Sequence, residues 1–475
     1  MLGIGGIACV VNLQNAAKHV SKLLQRLRHR GADVINIASV GKNEDPEKKP
    51  EDPEYIGYYE EKTPCEGTDF EGFPFEEGGQ LLGPMAIGFC FDVEKRISAI
   101  KDRRQMHIIE SAHFGLMVIA FSGKTELSSS GKINNLSKEC CTLSSDNGFD
   151  TLVRMLIGSK KERLIDALLD VLPRFTAAYT LAIMTKDELF AARGPHGVFP
   201  LFLGRIGKGL VVTSEDVALK QNPQAELIEE IGPGEIVSLK RDSPDYQIHH
   251  FAKSEEMLCA VECIHMSSPI TTHRGIHIED FRQALGREFA REHRERLLKA
   301  GKNIVPMMRS GKDQGSGVSD ESGIPYTEYI KLDKNRPRTR NRPLTKISYE
   351  KALERSYQKT ILREDKIKSK SIIVVESIMI TSMNMRIINE RLHKAGASRR
   401  TTCITAPMVT NVCPSGMEHS TTDMLIAYGR TLDEIRILIG TDDLLFLSLA
   451  GLKKVLSETF HTNFCTGCFG GDYPK

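Results

Sequence analysis

The stretch 371-SIIVVESIMITSMNMRIINERLHKAGA-397 decides the fold. Its residues 372–375 are apolar and β-branched, which is typical of a fully buried parallel strand. Residues 376–382 predict a loop, residues 383–394 have helical spacing, and Gly396 stands where a helix C-cap is expected. Because free N–H groups and the helix dipole point at such a loop, the unit predicts an anion pocket of the kind found in nucleotide-binding folds.

Length and composition limit the alternatives. The 475 residues predict roughly three domains or two large ones, with 40% hydrophobic and 27% charged residues. The net charge of +2 gives no general attraction to nucleic acid or membranes. No apolar run is long enough for a transmembrane helix and no clear signal peptide is present, so we expect a cytoplasmic chain. Eleven cysteines in such a chain leave metal binding or inert thiols rather than a disulfide framework.

Two elements near the N-terminus carry a resemblance. Residues 2–8 read LGIGGIA and residues 24–31 read LQRLRHRG, and together they resemble the opening of class II, N-terminal nucleophile, glutamine amidotransferases. In that family the mature terminal cysteine is the nucleophile and its α-amino group is the base. Leu2 stands at the nucleophile position, so the resemblance implies that no catalytic residue is intact there. Cys9 is predicted to be a small buried residue.

The glutamine-binding positions of that family are also altered. By position, Phe91 replaces the arginine that holds the glutamine carboxylate, and Ser122 replaces the asparagine of the oxyanion hole. The oxyanion-hole glycine is kept as Gly123. Asp146 matches the aspartate that binds the glutamine amino group, and a helix N-cap is its other interpretation. Residues 41–77, rich in Glu, Pro, Lys and Gly, predict a loop insertion or a disordered segment.

The opening stretch resembles the phosphoribosyl pyrophosphate loop of type I phosphoribosyltransferases. In that family two acidic residues hold the ribose hydroxyls, and the N–H groups of a small-residue loop hold the 5′-phosphate. Val375 replaces the first acidic residue, and the resemblance leaves as substrate-binding candidates Glu376, Ser377, Thr381 and Ser382. Lys334 and Arg336 match the start of the flexible catalytic loop, although solvated loop charges explain them equally well. Magnesium is expected only if phosphoribosyl pyrophosphate binds.

A C-x-x-C sequence, Cys465 to Cys468, lies near the C-terminus and is open to zinc, redox or iron–sulfur interpretations. The residues from 415 to 474 around it resemble amidophosphoribosyltransferases of the iron–sulfur type. By position the resemblance implies a 4Fe–4S cluster held by Cys259, Cys413, Cys465 and Cys468. Such a cluster would tie the C-terminal tail to the body and be structural rather than redox in purpose. Zinc and the absence of any metal remain alternatives.

The resemblance runs in order from residue 3 to residue 474. It implies an α/β chain with an αββα N-terminal nucleophile-type amidotransferase domain at 1–240, followed by a type I phosphoribosyltransferase domain with a Rossmann-like parallel sheet at 241–475. The altered motifs predict a catalytically impaired amidophosphoribosyltransferase homologue of de novo purine biosynthesis that acts as a binding or regulatory protein. It would form homo-oligomers, or hetero-oligomers with an active relative, and a nucleotide or phosphoribosyl pyrophosphate is its candidate ligand. The alternative is an active or ammonia-dependent enzyme that makes phosphoribosylamine.

Overall fold

The computed structural model describes residues 5–31, 34–42, 54–62, 83–91, 106–123, 148–175, 178–220, 222–253, 255–308, 310–332, 360–415 and 422–474. Within these residues the strands are β1 (Gly6–Val11), β2 (Val34–Lys42), β3 (Glu54–Lys62), β4 (Met85–Phe91), β5 (Met106–Ser111), β6 (Gly115–Gly123), β7 (Tyr179–Met184), β8 (Glu188–Arg193), β9 (Phe202–Ile206), β10 (Gly209–Thr213), β11 (Ala225–Glu230), β12 (Glu235–Lys240), β13 (Tyr246–His250), β14 (Met257–Cys259), β15 (Thr272–His273), β16 (Ile276–His277), β17 (Ile304–Pro306), β18 (Ile330–Leu332), β19 (Thr360–Leu362), β20 (Ser371–Glu376), β21 (Arg399–Ile404), β22 (Asp443–Phe446) and β23 (Asn463–Cys465).

The α-helices of the same residues are α1 (Ala16–Arg26), α2 (Gly148–Ile157), α3 (Leu164–Val171), α4 (Val217–Lys220), α5 (Ile278–Glu292), α6 (Arg294–Ala300), α7 (Lys312–Ser322), α8 (Glu364–Ile367), α9 (Met383–Lys394), α10 (Leu432–Ile439) and α11 (Leu449–Phe460). Single 3₁₀ turns lie at Leu172–Arg174, Thr422–Met424 and Gly467–Phe469, and Glu262–Met266 forms one π-helical turn.

Two antiparallel sheets build the N-terminal half. Among the described residues the first has seven strands in the order β11-β9-β10-β1-β4-β2-β3, and the second has six in the order β13-β12-β8-β7-β6-β5. One hydrophobic cluster joins residues of both sheets, among them Val11, Ile87, Val118 and Val237, so the sheets pack face to face. Helices α1 and α4 cover the outer face of the first sheet, and α2 and α3 cover that of the second. The half is therefore an αββα sandwich, as predicted.

A parallel sheet organises the C-terminal half. Its described strands follow the order β17-β20-β21-β22, and all neighbours are parallel. Ile373 and Val375 pack in one cluster with α5, α7 and α11, while Ile372 and Val374 pack in another with α9 and α10. Because side chains alternate across a strand, helices cover both faces, which explains the unbroken apolar run in β20. The predicted Rossmann-like α/β domain is confirmed.

The local predictions for the opening stretch are confirmed. Strand β20 and helix α9 lie where the pattern places them, and Gly396 ends the helix with φ of 81°. The predicted loop at 41–77 is wrong in part, because Glu54–Lys62 forms a strand that pairs with β2 over nine residues. Its three tyrosines and one isoleucine favour a strand, and its terminal Glu and Lys residues suit the edge of a sheet, where β3 lies.

The division at 240/241 stays a prediction; strand β13, at Tyr246–His250, still pairs with the second sheet. A two-stranded parallel pair, β14 with β23, brings the C-terminal tail against the segment that follows the N-terminal sandwich. None of the helices in the described part of the chain is both long and apolar enough to cross a membrane.

Candidate functional site

The structure brings the four predicted cysteine ligands together. Cys259 and Cys465 are register partners on the adjacent strands β14 and β23. Cys468 lies on the following 3₁₀ turn, and its carbonyl oxygen accepts hydrogen bonds from the N–H groups of Thr410 and Asn411, at 3.0 and 3.1 Å. Those two residues lie three and two positions before Cys413 in the chain. Three distant segments of the sequence therefore meet at one place, and the role of their cysteines as ligands stays a prediction.

The electrostatics of this place disfavour bare thiolates. Burial raises the pKa of Cys259 well above its ordinary value, and the charges of the other three cysteines raise it further. Burial raises the pKa of Cys465 to about 11, and it raises that of Cys468 as well. Burial therefore favours the neutral thiols here, and their ionisation as ligands would require a positively charged group bound among them.

Among the described residues, no group of three or more His, Cys, Asp or Glu side chains is placed to hold one metal ion. Cys9, Cys90, Cys263 and Cys403 are buried, while the sequence's Cys140 and Cys141 lie outside the described residues.

The transferase loop keeps its acidic residue, but the carboxylate is turned into the protein. Glu376 is only 5% exposed, and its Oε1 accepts hydrogen bonds from Ser377 N at 2.7 Å and Ser377 Oγ at 3.1 Å. Burial raises the pKa of this carboxyl, although hydrogen bonds from Ser310 and Ser377 oppose the shift. Val375, at the position of the lost acidic residue, is fully buried. The remaining carboxylate is therefore satisfied internally.

Apolar side chains fill the rest of the loop. Met379 and Met383 are buried and belong to the same hydrophobic cluster as Ile426. The carbonyl oxygen of Ile380 accepts a hydrogen bond from Ile426 N at 2.8 Å, which ties the loop to a neighbouring segment. Thr381 and Ser382 are half-buried, and the Ser382 side chain makes no capping hydrogen bond to helix α9. In this loop, side-chain bulk stands where a phosphate needs close approach to backbone N–H groups.

Residues 303–310 match by position the pyrophosphate loop of type I phosphoribosyltransferases, where Met307 replaces an acidic residue and Met308 a serine. Met307 follows β17, is 1% exposed and donates its N–H to the carbonyl oxygen of Val375 at 2.8 Å. Met308 is half-buried and packs against the same cluster as Met379 and Met383. Thioethers accept hydrogen bonds only weakly and carry no charge, so they provide no ligand for magnesium.

The amidotransferase side shows matching changes. Ser122 Oγ accepts a hydrogen bond from Gly5 N at 3.0 Å and donates one to Gly5 O at 3.2 Å, so the hydroxyl is used within the fold. Gly123 has φ of 118°, and a Cβ there would lie 2.3 Å from the carbonyl oxygen of Ala178. Phe91 is 5% exposed and its ring lies 5.6 Å from that of Phe89, within the core between the two sheets.

No protein-family model matches the chain. The amidophosphoribosyltransferase of Methanocaldococcus jannaschii is 30% identical over 501 aligned residues, which cover 100% of this chain and 98% of that protein. This chain belongs to the amidophosphoribosyltransferase family. The amidophosphoribosyltransferase of Bacillus subtilis is 28% identical over 369 residues, which cover 76% of this chain and 73% of that protein.

Solved structures agree on the fold. The glutamine phosphoribosylpyrophosphate amidotransferase of B. subtilis, solved with ADP and GMP, gives a TM-score of 0.78 at 24% identity and covers 99% of this chain and 97% of that one. The structure of the allosteric regulatory enzyme of purine biosynthesis gives a TM-score of 0.82 at 24% identity, covering 99% and 96%. The N-terminal nucleophile-type sandwich followed by a phosphoribosyltransferase sheet is the architecture of this family.

Membership of the amidophosphoribosyltransferase family leaves the individual site residues to be judged from their surroundings. The described structure contains Gly123, Glu376, Ser377, Thr381, Ser382 and the four cysteines. Leu2, Asp146, Lys334 and Arg336 lie outside the described residues, and their roles stay predictions.

The sequence analysis missed a buried charged network between the two halves of this amidophosphoribosyltransferase homologue. Arg30 donates to the carboxylate of Glu215 at 2.7 Å and makes a second ion pair with Glu262, and all three side chains are buried. Burial would raise the pKa of Glu215, but the charges of His29 and Arg30 hold it well below its usual range. Arg30 belongs to segment 24–31, which carries part of the family resemblance, and that resemblance was the sequence signal that could have pointed to this arginine.

A second missed contact links this network's neighbourhood to the transferase loop. His265, at the end of the π-helical turn that contains Glu262, places its Nδ1 3.0 Å from Ser377 Oγ. The Ser377 hydroxyl in turn donates to Glu376. No sequence pattern predicted this contact, because the two residues are 112 positions apart.

Proposed function

We propose that this chain is a catalytically impaired amidophosphoribosyltransferase homologue that acts as a binding or regulatory protein in de novo purine biosynthesis. The observation that carries the proposal is the filled transferase loop. Met379 and Met383 are part of the core, and the one retained carboxylate, Glu376, is buried and hydrogen-bonded inward. A highly charged sugar phosphate needs exposed N–H groups, ionised carboxylates and magnesium ligands, whereas the carboxylate of Glu376 is buried and already hydrogen-bonded.

The amidotransferase half supports the same proposal. By sequence, Leu2 stands where a nucleophile is required, and loss of one oxyanion-hole donor alone costs about 10²–10³ in rate. Ser122, at the donor position, is already bonded to Gly5. Phe91, at the carboxylate-binding position, is packed in the core and has no charge to offer. Three separate changes thus oppose glutamine hydrolysis.

Isothermal titration of the pure protein with phosphoribosyl pyrophosphate and Mg²⁺ tests the transferase side. We expect no binding heat at millimolar ligand, which corresponds to a binding free energy weaker than about −4 kcal/mol. If heat is seen, Glu376→Gln should remove it and Glu364→Gln, on the short helix α8, should not. Saturable heat that depends on Glu376, or release of glutamate from glutamine by pure protein, would contradict the proposal.

The second candidate is an ammonia-dependent transferase with an inactive glutaminase. It is favoured by one observation, the retention of Glu376 and Ser377 at the end of β20. In that case magnesium would accompany phosphoribosyl pyrophosphate, and pure protein would consume it when ammonium is supplied. An assay of pyrophosphate release with and without ammonium distinguishes this candidate from a non-catalytic homologue.

We propose further that Cys259, Cys413, Cys465 and Cys468 hold a 4Fe–4S cluster. The meeting of Cys259, Cys465 and Cys468, with the loop at 410–413 bonded to the carbonyl oxygen of Cys468, supports a group held by these sulfurs. We propose a cluster rather than one zinc ion because, among the described residues, no three such side chains are placed to hold a single ion, whereas in a cluster each thiolate would bind a different iron. The chemistry it supplies when bound is four iron–thiolate bonds, which would cross-link strands β14 and β23 and the loop at 410–413.

Anaerobic purification followed by absorption spectroscopy and quantitation of iron and sulfide tests the cluster. Cys465→Ser should lower the iron content to near zero. Cys403→Ser is the matched control, because Cys403 is also fully buried but lies on β21 in the core. Zinc without iron in the pure protein, or equal iron in both variants, would contradict the cluster proposal.

The partners remain part of the proposal. A homologue that does not turn over substrate can still act by binding other chains, as a homo-oligomer or in a hetero-oligomer with an active relative. Its candidate small ligand is a nucleotide. Co-expression with an active amidophosphoribosyltransferase, followed by affinity purification through a tag on this chain alone, tests the hetero-oligomer. Recovery of the active enzyme at a fixed ratio supports it, and recovery of this chain alone contradicts it.

A further inference from the structure

One short segment, residues 257–267, contacts the N-terminal half, the C-terminal tail and the loop that follows β20. We call it the junction segment; it contains β14 and the π-helical turn Glu262–Met266. On one side its backbone binds the N-terminal half, because Met257 N donates to His196 O at 2.8 Å and Cys259 N donates to Val198 O at 3.0 Å. These bonds attach the first cysteine ligand directly to the amidotransferase-like body.

On its other side the junction segment binds the C-terminal tail. Strand β14 pairs in parallel with β23 over three residues, and this pairing places Cys259 opposite Cys465. A three-residue parallel pair is short, and short ladders are only weakly stable alone. The tail is further held where Tyr473 donates its hydroxyl to Val412 O at 2.8 Å. The cysteines therefore lie where the junction segment, the loop at 410–413 and the tail meet.

Three residues beyond the cysteine, the junction segment makes a buried polar contact between the halves. Glu262 is fully buried and forms an ion pair with Arg30, and Arg30 Nη2 also donates to Glu262 Oε2 at 3.2 Å. Ser267 Oγ donates to Glu262 Oε1 at 3.0 Å, which fixes the carboxylate from its own segment. A movement of the π-helical turn would therefore break a buried ion pair.

The same turn reaches the transferase loop. His265 Nδ1 lies 3.0 Å from Ser377 Oγ, and the carbonyl oxygen of Ile264 accepts a hydrogen bond from Gln314 Nε2 at 3.2 Å. A π-helical turn is a local distortion that is often found at functional sites and has another helical arrangement close in energy. One turn thus joins the cysteine site, the interdomain ion pair and the loop after β20.

We infer that cluster binding at the four cysteines and docking of the two halves are thermodynamically coupled through the junction segment. A cluster bound to Cys259 fixes β14, and β14 holds Glu262 on Arg30 and His265 on Ser377. When the cluster is lost, the short β14–β23 pair alone no longer fixes the turn, and both contacts loosen. The inference rests on the proposed cluster, and it gives this non-catalytic scaffold a docked and a loosened state set by iron–sulfur loading.

Coupling between two binding events must be reciprocal. If the cluster favours the docked arrangement, then weakening the docking must weaken the hold on the cluster by the same factor. Arg30 lies far from the cysteines in sequence and belongs to the other half, so its replacement tests the coupling without touching a ligand. Arg163 is the matched control, because it is an exposed arginine of the same half whose ion pair, with Asp166, stays within one surface segment.

The experiment uses the full-length, anaerobically purified protein loaded with its cluster. Loss of the cluster absorbance is followed with an iron chelator in wild type, Arg30→Met and Arg163→Met. Typical coupling free energies predict at least about fivefold faster cluster loss for Arg30→Met, and no change for Arg163→Met. In parallel, hydrogen exchange compares loaded and chelated wild-type protein, with circular dichroism to confirm that both remain folded.

The inference expects chelation to speed exchange in residues 257–267 and also at 28–31, 196–198 and 376–378. Faster exchange confined to the tail and to 410–413, with equal cluster loss in all three proteins, would overturn the coupling while leaving the cluster in place. A protein that never contains iron would overturn the cluster proposal itself, and with it the coupling. Because the exchange experiment needs no variant, a misfolded Arg30→Met protein does not remove the test.

Discussion

Replacement of Arg30 should destabilise the protein more than replacement of either of its carboxylate partners. Its guanidinium is the shared cation of Glu215 and Glu262, and the side chains of both carboxylates are 0% exposed. Arg30→Met leaves two buried carboxylates near each other, with the His29 imidazole, whose Nε2 lies 2.6 Å from Glu215 Oε1, as a remaining partner of Glu215. Removing one partner of a buried ion pair costs about 3–5 kcal/mol, mainly through the uncompensated charge that stays behind.

Glu262→Gln should cost less, for a reason visible in the contacts. Arg30 would keep its ion pair with Glu215 at 2.7 Å and its hydrogen bond to Gly5 O at 3.4 Å. The glutamine keeps one oxygen that can accept from Ser267. The loss is then close to that of one hydrogen bond to a charged group, about 1.5–3 kcal/mol. In the Arg30→Met, Glu262→Gln double variant, the total loss of stability should be smaller than the sum of the two single-variant losses, because residue 262 is no longer left charged and unpaired.

Thermal unfolding followed by circular dichroism measures these differences; the chain has no Trp for fluorescence. For halves of this size the Arg30→Met loss converts to a decrease in midpoint of about 6–20 °C. Arg163→Met, whose partner is exposed, should leave the midpoint unchanged. A decrease for Arg30→Met no larger than that for Glu262→Gln would refute the idea that the shared cation holds this interface.

The pH dependence of folding stability gives an independent test of the Glu215 ion pairs. Because the pKa of Glu215 is held well below its ordinary value of 4.5 in the folded protein, its ion pairs stabilise the fold above that pH. The stabilisation is lost as pH falls through the folded pKa. The difference between wild type and Arg30→Met should therefore be largest near neutral pH and shrink in acid. A difference that grows as the pH falls would contradict this assignment.

Two further predictions concern the former active sites. Gly123→Ala should lower the unfolding midpoint, because φ of 118° and a Cβ 2.3 Å from Ala178 O together cost about 1–3 kcal/mol or more; Gly207→Ala, which has φ of 55° but open space, should lower it less, and equal decreases would exclude the steric explanation. For Glu376, burial raises the folded pKa above its ordinary value of 4.5, so stability should decline as pH rises through that folded pKa. Glu376→Gln should lack this decline, and identical midpoint–pH profiles for the two proteins would show that the carboxyl is not buried as described.

The backbone of the opening stretch could be predicted because its signals are local. An unbroken β-branched run, helical spacing and a glycine at the helix end are each read within a few residues, and β20, α9 and Gly396 follow them. The four cysteines could be predicted only through resemblance, since Cys259 and Cys465 are separated by most of the C-terminal half. Strand β3 was not predicted because the average composition of residues 41–77 favours a loop, whereas the residues that favour a strand are confined to Glu54–Lys62.

The interdomain network could not be predicted, for a physical reason. Arginine and glutamate are almost always exposed, so no sequence rule expects Arg30 and Glu262 to be buried. Their ion pair also joins residues 232 positions apart, and only the assembled fold brings them together. The inward turn of Glu376 is similar: its type matched the family, but its hydrogen bonds to Ser377 depend on the packing around it.

Several side chains by which this chain departs from the family pattern also contribute to the fold. Active sites commonly hold polar groups that pack poorly and cost stability. In this chain Phe91 is part of the core between the two sheets, and Met379 and Met383 are part of the core beneath α9. Phe91 and Met383 add buried apolar area at places where the family pattern has an ionic or a small residue. These departures are therefore compatible with the family's architecture, because the two side chains help to hold the sheets and helices together.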